Sequence, residues 1–300
     1  MNWLLLVLLS ALIWAIANLS DKFIEDHEIE DSILSSGVVD LITAVFFIII
    51  PFFFVPASKL IASFSLSAFL AGILYGNARI FYFSGIKREE VSRFVPLLAL
   101  IPVFVTIFSF LFLDEAFSWI VYLGIALTIL GALFISLEDP LHSLRKFQSK
   151  YAVLFGVIAA IFLASKDVLI KITSGTIAYW EIIFWLGVGL LPISLILLFK
   201  ELKLKKINKI NKQGIRNLII SGSLKALGSF LFTKAITLGP VALVSTIVKV
   251  KPVLVFLGST IISKFHSEII HEKLKTKTIL QKALATVIIV FGIILIRLYS

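Results

Sequence analysis

Ten runs of about 20 mostly apolar residues fill this 300-residue chain and leave little sequence for anything but a bundle of membrane helices. At 1.5 Å of rise per residue, ~20 apolar residues cross the ~30 Å hydrocarbon layer as one helix. The runs lie near 3–20, 33–55, 66–86, 92–112 and 117–136, and again near 151–172, 178–199, 215–237, 241–262 and 278–298. The apolar fraction of 59% against 15% charged residues excludes a soluble globular domain, where those fractions lie nearer ~45–50% and ~25%.

The second set of runs repeats the first. Gly72, Leu74, Ile86, Val91, Pro102, Val103, Val105 and Ser109 recur 150 residues later as Gly222, Leu224, Ile236, Val241, Pro252, Val253, Val255 and Ser259. Asp40 and Glu181 each stand 11 residues before a proline, Pro51 and Pro192. Lys22 matches Lys171 at the end of an apolar run, and Gly131 matches Gly292. With five spans per copy, the second copy enters the bilayer upside down. The expected fold is therefore an all-α integral membrane protein: ten transmembrane helices as two inverted five-helix repeats, 1–137 and 151–298. Inverted repeats of this kind are the architecture of secondary transporters, with the substrate site between the halves near the midplane.

Several other readings lose ground at once. A net charge of +10 would suit nucleic acid, but basic loops beside membrane helices account for it, and no nucleic-acid partner is expected. The first run lacks the basic n-region of a signal peptide and reads as a retained span. Cysteine is absent, which removes disulfides and thiolate chemistry. His27, His142, His266 and His271 all fall in connections. His266 and His271 are five apart rather than the three or four of a helical metal pair, so no metal or cofactor is expected. No nucleophile elbow or phosphate loop argues for an enzyme.

Seventeen basic residues fall in the odd-numbered connections, against Lys59 and Arg297 on the other side. The positive-inside rule puts the odd connections in the cytoplasm and both termini outside.

The duplicated pattern resembles the drug/metabolite transporter superfamily in its EamA-like, ten-span form. The resemblance rests on Trp14 followed by Lys22, on Asp114-Glu115 before span five echoed by His271-Glu272 before span ten, and on Pro102-Val103 and Pro252-Val253 inside spans four and nine. It covers residues 3–298. It implies multi-pass residence in a cell membrane, alternating access, a cavity lined by spans one to four and six to nine, and peripheral spans five and ten. It also implies cytoplasmic termini, opposite to the charge count.

Within the spans stand Arg79, Lys166, Lys225, Lys234, Lys249 and Lys251, with Asp40, Asp167 and Glu181. Each charge costs roughly 2.5–3.5 kcal/mol at a helix centre unless a polar cavity receives it. Lys166, Lys171, Lys234 and Glu181 lie near span ends and can snorkel. Asp167 is spaced to pair with Lys171, and Lys22 to cap the first span. Lys225, Lys249 and Lys251 lie about ten residues into their spans, where the first copy has Tyr75, Ala99 and Ile101. In the family an acid often precedes the span-nine proline; here Lys251 reverses that charge.

The expected cargo is a small anion, met by Lys225 and by Lys249 or Lys251, with Arg79 and Tyr75 from span three. Lys249 and Lys251 point about 200° apart on an ideal helix, so one is the ligand residue and the other packs or gates unless Pro252 distorts the backbone. The basic centre resembles that of the phosphate-translocator branch. A competing expectation pairs these lysines with Asp40. Asp40 and Glu181 are the candidates for coupled proton movement, Lys22, Lys171 and Asp167 for structural charge, and Pro102 and Pro252 for hinges.

Overall fold

The computed structural model describes residues 2–27, 32–89, 94–136, 149–203, 212–265 and 276–300. Side chains at 21–27, 32–36, 200–203, 212, 262, 264–265 and 276–278 are also outside the description. Lys22, the joint at 137–148 and all four histidines therefore fall beyond it in whole or in side chain.

The long helices are α1 (Trp3–His27), α2 (Ser32–Ile49), α4 (Leu66–Ile86), α6 (Trp119–Ser136), α7 (Lys150–Thr173), α8 (Tyr179–Lys203), α9 (Lys212–Leu238) and α12 (Thr276–Tyr299). A short α3 (Ala57–Ala62) lies between the second and third spans. Spans four and nine are composite. The first is a 3₁₀ stretch, Val95–Leu100, running into α5 (Ile101–Leu113). The second is α10 (Val241–Ile247), a 3₁₀ stretch at Val248–Val250, then α11 (Lys251–Phe265). Among the described residues nine helices are long and apolar enough to cross a membrane, and a tenth apolar helix, Gly37–Phe53, is shorter.

The structure breaks three of the expected continuous runs. The run at 33–55 leaves α-helix at Ile49 and passes through a 3₁₀ turn at Ile50–Phe53. The runs at 92–112 and 241–262 change helix type one or two residues before Pro102 and Pro252. Proline explains this, since it supplies no N–H to the carbonyl four residues earlier and crowds that carbonyl. Each proline is the second residue of the helix that follows, the position a helix start tolerates best.

One face of the bundle gathers the N-terminus with the even-numbered connections. Any side chain on Gly239, between α9 and α10, would strike Trp3. The Ser67 and Thr173 hydroxyls lie 2.7 Å apart, and the Trp185 indole N–H donates to the Leu60 carbonyl at 3.1 Å. Thus α1 leaves this face while α7 arrives at it. Packing follows the same exchange: α1 lies along α9, and α7 lies along α4. The helices α2 and α8 complete the centre.

Close approach depends on glycine where α4 meets α8. A Cβ on Gly72 would sit 2.2 Å from the Leu186 carbonyl oxygen, and one on Gly189 would sit 2.1 Å from that of Phe69. Small residues let membrane helices come this near. The fifth and tenth spans, α6 and α12, pack on each other outside the centre, where Gly292 faces Gly124 and Thr128.

Candidate functional site

The central residues come from seven spans. Lys225 is the middle residue of the 27-residue α9, about 20 Å along the helix from either end. The Trp14 indole N–H on α1 donates to the Lys225 carbonyl at 3.1 Å. The Trp14 ring packs against Phe232 with centroids 5.2 Å apart, and the Lys251 ammonium stands 5.9 Å above Trp14. From α7, the Lys166 ammonium lies between the rings of Tyr75 and Phe232, 5.4 Å from each centroid. Cations above aromatic faces gain ~0.5–2 kcal/mol, more as water is excluded.

Both acids at this level have cationic partners. Arg79 Nε donates to Asp40 Oδ2 at 2.7 Å, and its guanidinium lies over the rings of Tyr82 and Phe83. Asp167 pairs with its neighbour Lys166, both largely buried. The expected Asp167–Lys171 pair does not form. The Lys171 ammonium instead donates to the Gly239 carbonyl at 2.9 Å, drawn to a helix end whose carbonyls lack internal donors. Asp40 pairs with Arg79 rather than with a lysine.

Lys249 and Lys251 separate in role. The 3₁₀ stretch at Val248–Val250 has about three residues per turn, so the two side chains diverge by about 120° rather than the ~160° of an α-helix. They remain within electrostatic reach of each other, and Lys249 also within reach of Asp167. The Lys249 ammonium donates to the Leu98 carbonyl at 3.0 Å, across to span four. Pro102 and Pro252 both sit beside these contacts.

Glu181 is remote from this centre. It lies in the first turn of α8 and accepts the Ala178 N–H at 2.9 Å. Lys59 stands 3.5 Å from its other oxygen. Its match with Asp40 is one of sequence register only: Glu181 is in the first turn of α8, whereas Asp40 is midway along the 18-residue α2. Nearby, Phe54 stacks on Trp180 with centroids 4.2 Å apart. Lys234, at the same end, lies 4.6 Å above the Tyr179 ring.

Four contributors had no place in the site read from the sequence: Trp14 and Glu115 stood only as family marks, Lys166 as a residue able to snorkel, and Phe232 not at all. Phe232 carries no mark that separates it from the chain's other 26 phenylalanines. Glu115 does: it falls in the Asp114-Glu115 pair, directly after α5, where Asp114 adopts φ 54°. Its two oxygens accept the N–H groups of Val241 and Ala242 at 2.9 and 3.2 Å. A carboxylate at a helix start satisfies donors that have no internal partner. Lys171 lies within electrostatic reach of Glu115, so both hold the turn at Gly239–Val241.

Residues 1–137 match the model of the EamA-like transporter family. A solved crystal structure resembles the chain with a TM-score of 0.78 at 15% identity, covering 99% of this chain and 97% of that one. That likeness is one of fold. No curated protein matches the sequence.

Proposed function

We propose that this chain, whose residues 1–137 match the EamA-like transporter family, is a secondary transporter that moves a small organic anion by alternating access. Central charge balance carries the reading. Among the described side chains, five basic groups, Arg79, Lys166, Lys225, Lys249 and Lys251, gather at this level with the carboxylates of Asp40 and Asp167. An anionic ligand offsets a cost of several kcal/mol that an apolar interior would otherwise impose.

In this account Lys225 and Lys251 meet the anion. Trp14, Tyr75 and Phe232 offer flat apolar faces beside the cations, which suits an acid with a planar or apolar body. Arg79 borders the site with its charge shared by Asp40. The moving units are the repeats 1–137 and 151–298, in a cell membrane, with no enzymatic step. Asp40 and Glu181 are both ion-paired, which favours helix contact over proton carriage.

Ligand binding raises the unfolding temperature by mass action, by ~2.7 kcal/mol of stability at 100 times Kd. Benzenesulfonate or inorganic phosphate should therefore raise the melting temperature of the purified protein, and benzylamine should not. Lys251→Gln should remove the shift. Stabilisation by benzylamine with none from either anion would contradict the reading.

A further inference from the structure

We propose that Lys249 is a latch between the two broken spans and that the transported anion releases it; the release step rests on the anion reading above. The starting point is a missing donor. An α-helical N–H at position 102 would bond the carbonyl at position 98, but Pro102 has none. The backbone answers in part with a 3₁₀ bond from the Ile101 N–H to the Leu98 carbonyl. The same oxygen accepts the Lys249 ammonium at 3.0 Å.

The arrangement occurs on one side of the repeat only. At the matching break the Val248 carbonyl accepts the Lys251 N–H. The residue that repeat symmetry would send to it is Ala99, which has no side-chain donor. So the second half's lysine holds the first half's break, and nothing equivalent runs the other way between these two positions.

Lys249 also borders the site. It lies within electrostatic reach of Lys251 and Asp167, so an anion beside Lys251 competes for its N–H groups. The ammonium–carbonyl bond is already charge-assisted, and an anion adds the attraction of opposite charges that a neutral carbonyl lacks, so its oxygens compete for the ammonium. Once the ammonium turns to the anion, span four keeps a single 3₁₀ bond at its break. Binding is thereby converted into freedom at a hinge, the differential contact that a ligand-driven transition requires.

The chain contains no cysteine, so paired spin labels can be added to the otherwise native protein. Lys87→Cys at the end of α4 and Ile215→Cys near the start of α9 are exposed and lie on the face opposite the N-terminus. In the absence of any anion, Lys249→Met should shift their distance distribution, whereas Lys249→Arg should retain the original one. Pro102→Ala supplies a backbone donor to Leu98. In that background Lys249→Met should have no effect, and benzenesulfonate should no longer move the labels. Unchanged anion-free distances in Lys249→Met overturn the latch. If Lys249→Met fails to fold, the benzenesulfonate response of Pro102→Ala decides: a response equal to that of the unmodified protein overturns it. A shift in Lys249→Met with no benzenesulfonate response in the unmodified protein upholds the latch and overturns release by the anion.

Discussion

Asp40 and Arg79 show what a single charge does in this interior. Their ion pair is mostly buried, and the guanidinium is also covered by Tyr82 and Phe83. Removing one partner leaves a buried charge without compensation, at a cost of about 3–5 kcal/mol. Asp40→Asn should lower the melting temperature sharply, and Asp40→Asn with Arg79→Met should recover much of the loss. Equal melting temperatures for Asp40→Asn and the unmodified protein would show that the pair contributes little. The sequence marks Asp40 through its match with Glu181, but it does not mark Arg79 as its partner. That pairing depends on the rotation of α2 against α4, which follows from packing rather than from spacing along one helix. The Asp167–Lys171 expectation failed for the same kind of reason. Helical spacing allowed it, but Lys166 and the Gly239 carbonyl were better placed.

At the scale of elements, α10 is a seven-residue helix whose start is held from another span. Glu115 accepts two of its first N–H groups, and Lys171 holds the carbonyl just before it. Capping interactions are worth ~0.5–2 kcal/mol. Glu115→Ala should therefore speed amide hydrogen exchange at Val241 and Ala242 while leaving exchange unchanged at the α4–α8 contact around Gly72 and Gly189. Equal exchange in both proteins would remove Glu115 from that role. The long helices were legible because an apolar run of ~20 residues admits few alternatives. Their interruptions were legible only at Pro102 and Pro252, and then as hinge points rather than as 3₁₀ stretches of six and three residues. The short α3 lay within a stretch read as a connection, since six residues carry too little periodicity to declare a helix.

Across the whole molecule, the two stretches of the chain exchange neighbours, with α1 on α9 answered by α7 on α4. The family resemblance, rather than the duplication, implied that α6 and α12 are peripheral, and they pack on each other. Duplication could not foretell the ligand chemistry, which the proposed function puts where the copies differ: Tyr75 against Lys225, Ala99 against Lys249, and Ile101 against Lys251. The structure brings Tyr75, Lys249 and Lys251 around one aromatic and cationic centre, alongside the midpoint of α9. The most direct test of the account is uptake by sealed proteoliposomes of labelled, membrane-impermeant sulfonates, dicarboxylates and phosphate esters. The account predicts saturable uptake of at least one of these anions, reduced at least tenfold by Lys251→Gln. Uptake of organic cations alone, or anion uptake equal in Lys251→Gln and the unmodified protein, would contradict it.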